Sequence, residues 1–142
     1  MRMPILAALA AVALMSATSA SAEIKHYAAS LNGASETPPN MTGGTGVVKL
    51  DLDTTAKTVS WTVTYQGLTG PATAAHFHGP APVGRPAGVE VPVKGDLSSP
   101  ITGQASITDT QMDDLRAGQW YFNIHTAAHP AGEVRGQLAP AH

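Results

Sequence analysis

The chain has 142 residues, with eight basic and ten acidic side chains, six histidines and no cysteine. This charge balance offers no basic stripe for a nucleic acid to follow. Without cysteine the fold has neither disulfides nor thiolate metal ligands.

Residues 1–22 read as an export leader. Met1-Arg2-Met3 is a short basic start, Ile5 to Met15 is an apolar run, and Ala20-Ser21-Ala22 matches the A-x-A cleavage pattern. The run is too short for a permanent membrane helix, and a single Arg in place of a twin-Arg pair indicates Sec export. The expected mature chain, 23–142, is one soluble domain, periplasmic or secreted, with no membrane attachment. Without Arg2 its seven basic residues against ten acidic ones leave a net charge of −3.

Within the domain, apolar residues alternate between turn-forming stretches, the pattern of short strands. Ile24 to Leu31 is a first strand, and Leu31 to Gly46, rich in Asn, Gly, Pro, Ser and Thr, a long loop. Val48, Leu50 and Leu52 alternate with polar residues, and so do Val59, Trp61, Val63 and Tyr65; the turn Asp53 to Ala56 makes the two a hairpin. Ala72 to His78 is the next strand, followed by the Pro- and Gly-rich loop Gly79 to Gly88. Val89 to Val93 carries Pro92, which marks an edge or a bulge. Ile101 to Ile107 is another strand. Thr110 to Ala117 is the one helical signal, with Met112 and Leu115 on one face and Gly118 as its stop. Gln119 to Thr126 and Gly132 to Leu138 complete the set. Seven or eight such strands with one short helix point to an all-β sandwich or barrel.

Four of the six histidines fall into two short clusters. His76 and His78 are two apart on a strand, so both imidazoles project from the same face. His125 ends a strand, and His129 follows in a turn where Pro130 constrains the backbone and can fold the ring back toward His125. Should the two strands be neighbours, His76, His78, His125 and His129 would form one metal site. Imidazole suits copper, zinc, iron and nickel. Structural zinc usually recruits Cys, whereas copper(II) tolerates an all-imidazole set and is favoured in the Irving–Williams order. Copper is therefore the expected cofactor and zinc the alternative. His26 and His142 have no partners in sequence and read as surface residues.

Ala75-His76-Phe77-His78-Gly79-Pro80-Ala81, Trp120 to Thr126, His129 to Gln137 and the opening Leu31 to Pro39 together resemble the CHRD family, the domain first described in chordin. The resemblance implies an immunoglobulin-like or Greek-key β-sandwich with the four histidines near one another. A weaker resemblance is to copper/zinc superoxide dismutases, which also carry His-x-His on a strand of a Greek-key sandwich; the chain departs from them in lacking a disulfide pair and an obvious zinc loop.

Two functions from different classes follow. One is superoxide dismutation at copper, with Arg135, or else Arg85, attracting the small anion, Glu133 orienting a ligand, and Tyr121 and Asn123 lining the site. The other is copper buffering or delivery without turnover. A structural or adhesive module is a third reading, and an exposed aromatic patch, its mark, has no strong candidate. Nucleophilic catalysis is not indicated, because Ser60, Ser98 and Ser99 have no adjacent His-acid arrangement.

Overall fold

The computed structural model describes residues 8–16 and 21–142. Of the expected leader, residues 8–16 and 21–22 carry no helix or strand, and the rest lies outside the described residues. Among the described residues no helix is long and apolar enough to cross a membrane.

The domain is all-β with one short helix. Its strands are β1 (Ile24–Asn32), β2 (Thr45–Asp53), β3 (Thr58–Gln66), β4 (Ala72–His78), β5 (Val89–Pro92), β6 (Ile101–Ser106), β7 (Tyr121–Thr126), β8 (Val134–Gln137) and the two-residue β9 (Ala139–Pro140); the helix α1 (Asp109–Arg116) precedes β7. All strand pairs are antiparallel and run in the order β5-β4-β7-β8-β1-β2-β3-β6, with β9 beside β1. The neighbours β3–β6, β4–β7 and β8–β1 are not consecutive, which makes the connections of the Greek-key type. The hairpin expected around Asp53 to Ala56 is present, with Leu50 opposite Trp61 and Val48 opposite Val63.

The sheet is continuous but folds on itself. Only Asn32 and Arg135 pair between β1 and β8, so the β5-β4-β7-β8 half and the β1-β2-β3-β6 half face each other across one core. Val48, Leu50, Leu52, Val59 and Val63 come from one half, and Ala75, Phe77, Phe122, Ile124 and Val134 from the other; all are fully buried. Trp61 meets Phe77 edge-on at 5.2 Å between ring centroids, which locks the halves together. The helix starts one residue earlier than its apolar spacing suggests. Thr108 caps it, accepting from Gln111 N while the Gln111 side chain accepts from Thr108 N.

Candidate metal centre

β4 and β7 are the neighbours the sequence left open. Their register sets Ala74 opposite His125, His76 opposite Asn123 and His78 opposite Tyr121. The two-residue period then places His76, His78, Tyr121, Asn123 and His125 on one face, turned away from the core residues Phe77, Phe122 and Ile124. That polar face is covered by the 33–44 and 79–88 loops, so Tyr121, Asn123 and Arg135 are buried although they point away from the apolar core.

His76, His78 and His125 come together. One ligand atom from each lies within 4.8 Å of the others. Nδ1 of His78 donates to the Ala87 carbonyl at 2.9 Å, and Nδ1 of His125 donates to the Pro130 carbonyl at 2.9 Å. A neutral imidazole has a single N–H, so both Nε2 atoms present lone pairs to the space between the rings. These atoms stand 2.9 and 3.1 Å from Asn123 Oδ1, and His125 Nε2 stands 3.3 Å from His76 Nδ1. Acceptors crowd one point with few hydrogens between them, and a cation is the chemical species that satisfies them all. The donor set thus fits a metal, and fixing Nδ1 on a backbone carbonyl is how ligating histidines are held.

Protonation opposes this arrangement. Burial holds the His76 imidazole below its ordinary value, and repulsion from His125 and His78 lowers it further. Burial also lowers His78, outweighing its hydrogen bonds to Ala87 and Asn123. Both rings are therefore neutral at neutral pH, the form that binds metal. His76 and His125 remain half-buried, which leaves one side of the trio reachable from solvent.

His129 stands outside this group. Its backbone closes the turn after β7, with N donating to the Thr126 carbonyl at 3.1 Å and its carbonyl accepting from Gly132 N at 3.0 Å. The residue lines a shallow cavity of about 190 Å³ with Pro38, Pro39 and Pro130. A cavity of about 500 Å³ between the ends of β1, β2 and β3 is lined by none of the histidines. His26 lies on the outer face of the sheet, 2.6 Å from Asp51.

Arg135 is 1 % exposed. Its Cζ sits 3.5 Å from the Tyr121 ring centroid, Nη2 donates to the Arg85 carbonyl at 2.9 Å and Nη1 to Thr37 Oγ1 at 3.4 Å. Tyr121 also stacks on His78, with rings 4.8 Å apart and within 7° of parallel. Since β7 lies between β4 and β8, imidazole, phenol and guanidinium form a stack across three strands. Arg135 is thus set in a structural stack, and Arg85 is the exposed cation of the pair.

Glu133 does not touch a ligand histidine. Its carboxylate accepts from Thr42 Oγ1 at 2.8 Å, Thr126 Oγ1 at 2.7 Å, Thr69 N at 3.0 Å and the Thr69 hydroxyl. Burial pushes its carboxyl up, but these hydrogen bonds together outweigh it and hold the group below its ordinary value. The Glu133 carbonyl also accepts from Asn40 Nδ2 at 2.9 Å, so this residue anchors the 33–44 loop. The loop in turn carries Glu36, 3 % exposed, whose Oε1 has no hydrogen-bond partner among the described residues. Burial raises the Glu36 carboxyl above its ordinary value, against the pull of Thr37 N–H, Arg135, His125 and Asn123. Glu36 falls within the Leu31 to Pro39 motif, but nothing in the residue pattern gave it a role of its own, because a lone acid in a turn-rich loop reads as solvated.

Searches of curated proteins and of solved structures return no match. A model of the CHRD domain matches residues 27–138, a span that includes β1 through β8 nearly whole and every histidine of the trio. By that match the chain belongs to the CHRD domain family.

Proposed function

We propose that this CHRD domain is exported and binds one copper ion through His76, His78 and His125, and that the bound ion disproportionates superoxide. The observation that carries the reading is the convergence of ring nitrogens of His76, His78 and His125, with the opposite nitrogens of His78 and His125 committed to backbone carbonyls. Copper over zinc rests on the all-imidazole ligand type and the absence of thiolate; export rests on the leader pattern of residues 1–22.

Copper held by His76, His78 and His125 would supply one-electron chemistry, the exchange between copper(II) and copper(I) that converts two superoxide ions and two protons into oxygen and hydrogen peroxide. The chain's own residues bind, orient and admit. Ala87 and Pro130 carbonyls hold two rings in the ligating tautomer. The half-buried edges of His76 and His125 leave an approach for a small anion. Arg85 is the cation available to draw it in.

The placement of Arg135 favours a second reading, copper buffering without turnover, because the more deeply buried guanidinium is engaged by Tyr121, Thr37 and the Arg85 carbonyl. One experiment separates the two. Superoxide removal is followed by pulse radiolysis for copper-loaded protein, metal-free protein and the His76→Ala/His125→Ala double variant. A fast copper-dependent rate absent from both controls supports the enzyme; stoichiometric copper without that rate leaves the buffer; zinc binding in preference to copper at equal concentration overturns both.

A further inference from the structure

We infer that Asn123 is a fourth ligand of the metal, its Oδ1 completing the three imidazoles, and that the buried carboxyl of Glu36 orients the Asn123 amide for that role. The inference rests on the copper-site reading above and extends it to an oxygen donor and a positioning residue that the histidine pattern does not contain.

The distances carry the first half. Donors held about 2.0 Å from one metal ion are separated by about 2.8 Å at a right angle and about 3.3 Å at a tetrahedral angle. Asn123 Oδ1 lies 2.9 Å from His78 Nε2 and 3.1 Å from His125 Nε2, and His125 Nε2 lies 3.3 Å from His76 Nδ1. All three separations have the length of edges of one coordination polyhedron. The two contacts of Asn123 Oδ1 do not read as hydrogen bonds to neutral rings, because His78 and His125 have already given their single N–H to Ala87 and Pro130. An amide oxygen facing two lone pairs is repelled by both, and a cation among them reverses the sign of the interaction.

Glu36 carries the second half. It is 3 % exposed, and its Oε1 is buried without a partner among the described residues. Gly132 adjoins both groups: a Cβ there would touch Glu36 Oε1 and stand 2.8 Å from Asn123 Nδ2. Gly132 also has φ of +124°, so the position suits only glycine. Asn123 Nδ2 thus lies on the Glu36 side of the amide and Oδ1 on the histidine side. The reversed amide would turn Oδ1 toward the Glu36 carboxyl oxygen. Glu133 completes the support by fixing the loop that presents Glu36, through Thr42 and Asn40.

The test uses the whole protein loaded with one equivalent of copper(II), with affinity from competition titration and coordination from electron paramagnetic resonance. The variants are Asn123→Asp, Asn123→Leu and Glu36→Leu, each checked for folding by circular dichroism. Asn123→Leu is expected to weaken copper(II) by about tenfold or more and to raise the parallel g value. Asn123→Asp keeps the shape and supplies a charged oxygen, so it tightens binding and lowers that g value. Glu36→Leu leaves all four donors and weakens binding less than Asn123→Leu, with a mixed spectrum from two amide orientations. Should Asn123→Leu not fold, Asn123→Asp decides alone. Wild-type spectra unchanged in both Asn123 variants, with affinity retained, overturn the inference and leave the three-histidine site intact. A wild-type protein that takes up no copper overturns the site and the inference together.

Discussion

Tyr121 is the residue on which most of the ligand geometry converges. One ring face lies on His78 and the guanidinium of Arg135 sits over the ring. Its hydroxyl accepts from Ala87 N at 3.0 Å and stands 3.2 Å from the Ala87 carbonyl that also receives His78 Nδ1. The phenol therefore holds both the ring and the carbonyl that sets the ring's tautomer. Tyr121→Phe keeps the stack and removes the hydroxyl. It is expected to cost about 1 kcal/mol of stability and to weaken copper binding severalfold, measured by thermal melts and competition titration side by side. Equal affinity with lowered stability would show that the hydroxyl serves the loop alone.

At the scale of elements, β4 does two jobs at once because its side chains alternate. Ala75 and Phe77 face the core and are fully buried, while His76 and His78 face the polar layer. Phe77 packs against Trp61, Trp120 and Phe122, with ring centroids 5.2, 5.7 and 4.7 Å away. Those contacts hold β4 in its register with β7, and so hold the histidines opposite Asn123 and Tyr121. Phe77→Ala is expected to lower the free energy of unfolding by about 3–5 kcal/mol in urea denaturation. Phe77→Leu, which fills more of the volume, is expected to cost less and to keep copper affinity close to wild type; a loss of affinity out of step with stability would count against register as the link.

For the molecule as a whole, Glu133 ties together parts distant in sequence: the 33–44 loop through Thr42, the Thr69 turn, and β7 through Thr126. Its carboxyl is held below the ordinary value in the folded protein. The folded state then binds this proton less readily than the unfolded one, so the stabilisation is present above the ordinary carboxylate value and is lost as pH falls through the lowered one. Acid unfolding of the metal-free protein should therefore steepen in that window, and Glu133→Gln should flatten the pH profile while lowering stability at neutral pH by about 1–3 kcal/mol. Denaturation midpoints taken from pH 7 down to pH 3 check both. An unchanged slope in the variant would assign acid sensitivity to other groups.

The sequence by itself determined the strands, the single helix and the two histidine clusters, because these depend on local chemistry. Alternation with a period of two is visible wherever one strand face is buried, as in Val48-x-Leu50-x-Leu52, and His-x-His shares a face in any strand. The family was legible from the same motifs, and the match over residues 27–138 agrees. What only the tertiary structure decided was which groups meet. His76 and His125 are 49 positions apart, and their contact exists because core packing makes β4 and β7 neighbours in one register. His129, four residues from His125, lies outside the trio because its turn is closed by backbone hydrogen bonds to Thr126 and Gly132. Arg135 reads in sequence as a cation that attracts the anion, and Glu36 only as part of the Leu31 to Pro39 motif; loops folding over the polar face bury both, and only that covering makes one a stacking partner of Tyr121 and sets the other near Asn123.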